Sequence, residues 1–598
     1  MAAKEIQSGS TVTFLIKVAG KPIPDATRIL SVDIEKRVNR ITNAKIVILD
    51  GEANAGQFEA SSSDTFVPGA AISIEAGYDN ENKIIFEGII TGQTIRIDNA
   101  TGAALEVVCR DAAIKMTVGR KSLTYTNKTD SEIIASIIAT YAGLSANVAA
   151  TATAWPGQVQ YDVTDWDYIL ALATANGLIV TTINGVVTVA TPANNTNPIC
   201  SVIYGSTLME FNASLNAVNQ VSQVNASAWD YKNQQLNSGR AIPDVEGPGN
   251  LSAKKLSGVI GLTSYNLQTT APLDAAVLEN WSKAQIIKSE FSKITGEAKF
   301  MGTNLVEPAN YITMAGIGDR FNGDHFISGV SHTIAEGNWY TTVALGISQD
   351  GFMQQADVMS PPASGLLPAA RGLLNGIVIK TFDDPESQYR VLVDIPMFDN
   401  NGAGIWARLS NFYATNNAGV FFLPEVGDEV VVGFLNEDPR YPVILGSMYS
   451  SAKLKPQQSL VPGAANQLKA IVSRSGISIQ FDDVNKTLTI CTPAINTMVF
   501  SDKDKQVTVN DENGNSLVMS ADGISIKSAK DINIQSGQKI NLQGTQGVNI
   551  QSAGGDIEVS GINIQESAQV AYNAHAGATA KITSGAELTL QSAMIMIN

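Results

Sequence analysis

The sequence predicts a mainly β chain built in three successive parts, and three observations predict it. Residues 1 to about 360 mix alternating strand patterns with a few capped helices. Residues 373–452 hold six short apolar runs separated by glycine and proline turns. From about residue 470, short apolar pairs recur, and four successive pairs stand eight residues apart. At 598 residues the chain is too long for one core, so several domains are expected.

In the first part, alternation in "TVTFLIKV", "AKIVILD" and "ALEVVC" reads as strands, because residues i and i+2 of a strand face the same side. "TDSEIIASIIATYAG" reads as an amphipathic helix. Thr129 and Glu132 have capping-box spacing, Ile133, Ile134, Ile137, Ile138 and Tyr141 share a face, and Gly143 ends it. "TDWDYILALATANG" repeats the logic, with Thr164 and Asp167 at its start and Asn176-Gly177 as a left-handed stop. A hairpin follows in "LIVTTINGVVTVAT", turning at Asn184-Gly185. A third helix is expected in "PLDAAVLENWSKAQIIKSEFSK".

Residues 361–372, within "SPPASGLLPAARG", read as a linker because proline and glycine break regular structure. The runs "GIVIKTF", "YRVLVDIP", "IWARLS", "GVFFLP", "DEVVVGFL" and "PVILGSMY" then predict a small closed barrel. Residues 453–470 form a second linker. Beyond it, no tryptophan follows Trp406 and no proline follows Pro493. The pairs Ile477/Ile479, Leu488/Ile490, Val507/Val509 and Leu517/Met519 lead into the octads Ile524/Ile526, Ile532/Ile534, Ile540/Leu542 and Val548/Ile550. Ile582, Leu588/Leu590 and Ile595/Ile597 complete the series, and such self-similarity marks a repeat architecture.

Each I-x-I drives two apolar side chains inward and one residue outward. That outward residue is Asn533, Asn541 or Asn549 in three of the four octads. Gly523, Gly537, Gly544, Gly547 and Gly555 lie between pairs, where the chain turns. Burying each apolar side chain contributes roughly 1.5–3 kcal/mol, so a stack of octads can form a core that no single octad can. Open edges of such segments would aggregate, so the repeat demands closure. Period alone leaves two closures: three octads making one turn of a single-chain solenoid, or three chains each supplying one face.

The formal net charge of −16 argues against a nucleic-acid binder, which needs a clustered basic face. Cys109, Cys200 and Cys491 lie far apart and in odd number, with no disulfide or metal spacing, and read as buried free thiols. "MAAKEIQSGS" has no apolar core and is not a secretory signal, and no run of 18 apolar residues would cross a membrane as a helix.

Candidate chemistry is sparse. Asp511, Asn513 and Asn515 in "DENGNS" have calcium-loop spacing, but Ser516 stands where that loop needs glycine and Asp522 replaces its closing glutamate, so an Asn-Gly turn is expected. His325 and His332 are seven residues apart and read as packed strand residues. His575 would come near its symmetry copies in a threefold assembly, yet it has no second histidine nearby. Asp383-Asp384 and Asp428-Glu429 read as solvated turn residues. No catalytic, cofactor or metal motif stands in the chain, and no enzyme is expected.

Residues 420–449, "VFFLPEVGDEVVVGFLNEDPRYPVILGSMY", resemble the oligonucleotide/oligosaccharide-binding (OB) barrel of VgrG-type spikes of contractile injection systems, whose members serve type VI secretion, extracellular injectors and phage tails. The matching residues are Pro424 to Val430, Gly433-Phe434, Asp438-Pro439, Pro442-Val443 and Gly446. "TDWDYILALATANGLIV" resembles that family's hub, and "SGAELTLQSAMIMIN" resembles its C-terminal end. The resemblance implies a hub of tail-hub-like β-barrel domains over 1–360, an OB-fold barrel over 373–452 and a trimeric intertwined β-helix, the needle, over 471–598.

Its implied function is a homotrimeric central spike that caps a hexameric inner tube, meets baseplate proteins, carries a PAAR-type tip protein and effector cargo, and punctures the target envelope. It implies assembly in the bacterial cytoplasm without a signal peptide, delivery outward with the particle, contact with the target membrane only on puncture, and no cofactor. The needle core would be Ile524, Ile526, Ile532, Ile534, Ile540, Leu542, Val548 and Ile550; the tip interface would be Ile595, Met596, Ile597 and Asn598. Two departures stand out: about 20 residues occupy the place of the lysozyme domain of the related phage spike, and the chain ends directly after the last pair.

Two rival classes remain. A trimeric β-helix fibre or adhesin would not need the barrel and hub blocks. A β-helix polysaccharide-degrading enzyme needs carboxylates or arginines on one face, where this chain has mostly Asn, Ser and Lys.

Overall fold

The computed structural model describes residues 4–5, 11–52, 56–98, 102–192, 196–230, 233–243, 247–262, 264–347, 361–398, 403–460 and 462–597. They fall into two compact units, Met1–Met448 and Tyr449–Asn598.

In the first unit the alternating segments form strands Val12–Val18, Asn43–Leu49 and Gly102–Arg110, as their period requires. They belong to one 14-stranded hydrogen-bonded sheet. Its pivot is the long strand Gly323–Ala335, which pairs with Tyr311–Ala315 near its start and with Arg28–Arg37 toward its end. This sheet carries two apolar cores. One gathers Ile34, Ile46, Ile74, Phe86 and Trp339, and the other Phe300, Ile312, Met314 and Val343.

Between strands of that sheet, residues 111–192 fold on a core of their own around Ile133, Ile137, Ile169 and Leu172. Helix Asp130–Ile138 has the expected capping box: the Thr129 hydroxyl accepts from Glu132 N–H, and the Glu132 carboxylate accepts from Thr129 N–H. Helix Asp165–Ala175 is capped by Thr164, and Gly177 behind it is left-handed at φ +67°. Asn184 and Gly185, both left-handed, turn the hairpin of Ile179–Ile183 with Val186–Ala190. The third expected helix is Ala275–Phe291. A further helix, Ala253–Ile260, escaped the sequence reading because it is short; Ser252 caps its start and left-handed Gly261 its end.

The barrel closes with five strands, Leu374–Lys380, Val391–Asp394, Ile405–Leu409, Glu429–Phe434 and Pro442–Ser447, around Val378, Val391, Val393, Val430, Val432 and Ile444. The sixth expected strand, "GVFFLP", does not form beyond the two-residue Ala418–Gly419. That run is continuous rather than alternating, and Phe421 and Phe422 lie exposed. The expected linker 361–372 lies against the barrel: Ala370 N–H donates to Glu437 O at 2.8 Å, and Asn436 Nδ2 donates to Ser364 Oγ at 3.1 Å.

Asp384 is not a solvated turn residue. Arg390 grips its carboxylate through Nε and Nη2, three backbone N–H groups donate to it, and its side chain is 7% exposed. The Arg390 guanidinium holds this carboxyl well below the usual range. Cys109 and Cys200 are buried, which pushes each thiol up to about 12, whereas Cys491 is only half-buried.

In the second unit, seven five-residue strands form an antiparallel meander: Leu468–Val472, Ser478–Asp482, Thr487–Cys491, Thr497–Ser501, Gln506–Asn510, Ser516–Ser520 and Gly523–Lys527. Beyond it, residues 528–597 form no hydrogen-bonded ladder within the chain, and every residue from 529 to 597 is exposed.

Candidate functional site: an open apolar face

The meander sorts its side chains by register. One row across the seven strands reads Ile471, Ile479, Ile490, Met498, Val509, Leu517, Ile526. The next row on the same face reads Lys469, Phe481, Leu488, Phe500, Val507, Met519, Ile524. Between them the opposite face presents Ala470, Gln480, Thr489, Val499, Thr508, Val518 and Ser525. One face is therefore apolar at every position except Lys469, and the other is largely polar. The period of two fixes both faces at once, since a one-residue slip would exchange them.

Tight turns hold the register. The Asp482 carboxylate accepts from Val484 N–H and Asn485 N–H at 3.1 and 2.9 Å. Asp511 accepts from Asn513 N–H and Asn515 N–H at 3.0 and 2.8 Å, with Gly514 left-handed. "DENGNS" is thus the expected turn, its carboxylate occupied by its own backbone. Those backbone donors hold both carboxyls below the usual range.

No other element of the unit covers the apolar face. Phe481, Phe500 and Met519 remain 40–45% exposed, and Ile524 reaches 71%. An isolated monomer rarely leaves so large a contiguous apolar surface open, which makes the face the candidate interaction surface of this unit.

Of the needle-core residues expected from sequence, Ile524 and Ile526 lie on this face. Ile532, Ile534, Ile540, Leu542, Val548 and Ile550 follow in the exposed run, with Ile534 at 69% and Leu542 at 71%. Ile595, Met596 and Ile597 are exposed, and Asn598 lies outside the described residues. Sequence reasoning missed Ile471, Phe481 and Met498/Phe500, and it paired Ile479 with Ile477, whereas the ladder uses Ile479 and Phe481. The available signal was the same i, i+2 pairing at irregular spacing, because hairpin turns vary in length where the octads do not.

His325 and His332 are buried strand residues: His325 Nε2 meets Phe321 O at 2.6 Å, and His332 Nδ1 meets Thr341 Oγ1 at 3.0 Å. Burial lowers both pKa values, that of His332 to about 3. His575 is exposed. The Asp428 carboxylate closes the "PEVGD" turn by accepting from Glu425 N–H at 2.9 Å, with Gly427 left-handed, and Glu429 accepts from Asn375 Nδ2.

Comparison with known proteins gives two family matches. Residues 8–336, more than half of the chain, match the Alg8 N-terminal domain. Residues 374–449 match the type VI secretion system/phage-baseplate injector OB domain, which is the five-stranded barrel. The resemblance to VgrG-type spike proteins is found as well. Spike protein VgrG1a of Pseudomonas aeruginosa is 29% identical over 85 residues, 14% of this chain and 13% of that protein. Spike protein VgrG3 of Vibrio cholerae is 31% identical over 100 residues, 15% of this chain and 10% of that protein. The chain thus matches only about a tenth of the length of these relatives. Among solved structures, the E. coli type VI secretion component c3393 aligns at TM-score 0.37 and 15% identity, over 72% of this chain and 99% of that one.

Proposed function

The chain belongs to the Alg8 N-terminal domain family by the match over residues 8–336, and, from its injector OB domain and its likeness to VgrG spike proteins, we propose that it is the homotrimeric central spike of a contractile injection system. The carrying observation is the apolar face of the seven-stranded sheet, open in one chain and continued in sequence by the octads. Three such faces turned toward a common axis would bury one another and close every edge, which a single chain does not achieve. The injector OB domain supports the setting in which such a trimer works.

The role is mechanical. The hub would dock on the hexameric inner tube and the baseplate, and the needle would transmit thrust to a PAAR-type tip seated near Ile595–Ile597. Puncture of the target envelope would deliver tip and effector cargo, with no covalent chemistry by this chain. A single-chain solenoid enzyme fits less well, because such a coil buries its own inward residues and this run leaves Ile532 to Ile550 exposed.

Solution mass tests the reading. Light scattering of the purified chain should give three times 63.2 kDa. Ile532→Asp and Ile540→Asp should shift the particle toward smaller species or lower its melting temperature. A stable monomer, or mutant trimers with unchanged melting, would refute the assignment.

A further inference from the structure

We propose that a cleft in the first unit, between the helix Ala275–Phe291 and the ends of strands Arg28–Arg37 and Gly102–Arg110, binds a small anionic ligand: a carboxylate or phosphate group carried on an apolar body. This goes beyond the spike role and stands independently of it. The cleft encloses about 510 Å³, within the roughly 300–1,000 Å³ of small-molecule sites.

Its charge is unbalanced. Arg37, Arg40, Arg110 and Lys288 line it against two carboxylates, Glu35 and Asp167. Both carboxylates are engaged already: Glu35 pairs with Arg37 at 2.5 Å, and Asp167 accepts from the Thr164 hydroxyl at 2.7 Å. Among the described residues, Arg40, Arg110 and Lys288 have no ion-pair partner. Four cations against two carboxylates leave two positive charges in excess in one cleft, unexpected in a chain of net charge −16. Lys288 is half-buried, and that burial holds its ammonium below the usual lysine range. An anion beside it would offset the desolvation.

The lining supplies an apolar partner for the ligand's body. Trp166, Leu170 and Ile179 are buried, and Ile287 is half-buried beside Lys288. The cationic side is held by backbone. Asn39 is left-handed at φ +60°, its N–H donates to Val180 O at 2.7 Å, and its Oδ1 accepts from Val180 N–H at 2.9 Å. Arg37 and Arg40 flank this pinned turn, so the site is assembled before any ligand arrives.

Titration calorimetry of the full chain at low ionic strength tests the site, with inorganic phosphate, phenyl phosphate and benzoate as probes. One site per chain is expected, with phenyl phosphate tighter than phosphate because its ring reaches the apolar lining. Benzoate against phenyl phosphate separates the two anion sources. Lys288→Met and Arg110→Ala should each weaken phenyl phosphate about tenfold or more, whereas Lys288→Arg should retain it. Lys283→Met, on the same helix but paired with Glu279 at 2.6 Å, should bind as the parent does. Saturation absent up to about 10 mM of every probe, or equal affinity in the parent and in folded Lys288→Met and Arg110→Ala, would overturn the site. Circular dichroism of each variant establishes that it is folded.

Discussion

Asn176 and Gly177 show how much two residues can fix. Asn176 Nδ2 donates to the Asp130 carboxylate at 2.7 Å, and its Oδ1 accepts from Asn280 Nδ2 at 2.8 Å, so one amide ties three helices. Gly177 adopts φ +67°, and a Cβ there would stand 2.9 Å from Ala284 Cα in the helix Ala275–Phe291. Gly177→Ala therefore meets both backbone strain and overpacking, and should destabilise the first unit by roughly 1–3 kcal/mol in chemical denaturation. An unchanged midpoint would mean that the helix contact is not held as described. His332 gives a second residue-scale test. Its pKa of about 3, caused first by burial and then by the nearby Lys36 charge, lies below the unfolded value near 6.5. Between these values only the unfolded chain binds the proton, so stability is full above pH ~6.5 and falls on acidification toward ~3. The slope from this one group is at most about 1.4 kcal/mol per pH unit. His332→Gln should flatten the acid limb of a plot of melting temperature against pH, and an unaltered limb would assign it to other groups.

At the scale of elements, local chemistry and final structure agree most closely where a cap or a turn is written into the chain. The Thr129–Glu132 box starts its helix as read, and Thr129→Ala should cost about 1 kcal/mol, measurable by thermal melting. The barrel shows the limit of such reading. "GVFFLP" has strand-like composition but no alternation, and hydrophobicity alone does not separate a strand from an apolar loop. The meander permits a sharper test, since neighbouring residues of one strand occupy opposite faces. Ile490→Asp should disrupt assembly measured by light scattering, while Thr489→Asp, one position away on the polar face, should leave it intact. Equal effects would mean that the apolar face is not the contact.

For the molecule as a whole, isoleucines stay uncovered both on the meander's apolar face and along the run after it, and the proposed trimer is what would bury them. The I-x-I period was legible from sequence because it is a local property: two residues apart in a strand means one face, whichever chain covers it. Helix caps and the Asn184-Gly185 hairpin were legible for the same reason. The sequence did not disclose that residues 468–527 pair with one another as a meander, since pairing partners depend on turn geometry as well as on pattern. Nor did it disclose the cationic cleft, whose Arg37 and Lys288 stand about 250 positions apart along the chain. By itself, then, the sequence determined the two-residue apolar period and the helix starts, hairpin and turns whose caps are written locally, because short-range sterics and capping decide them. Only the tertiary structure decided which distant charges meet and which apolar face stays open, because those follow from packing between segments that no local period connects.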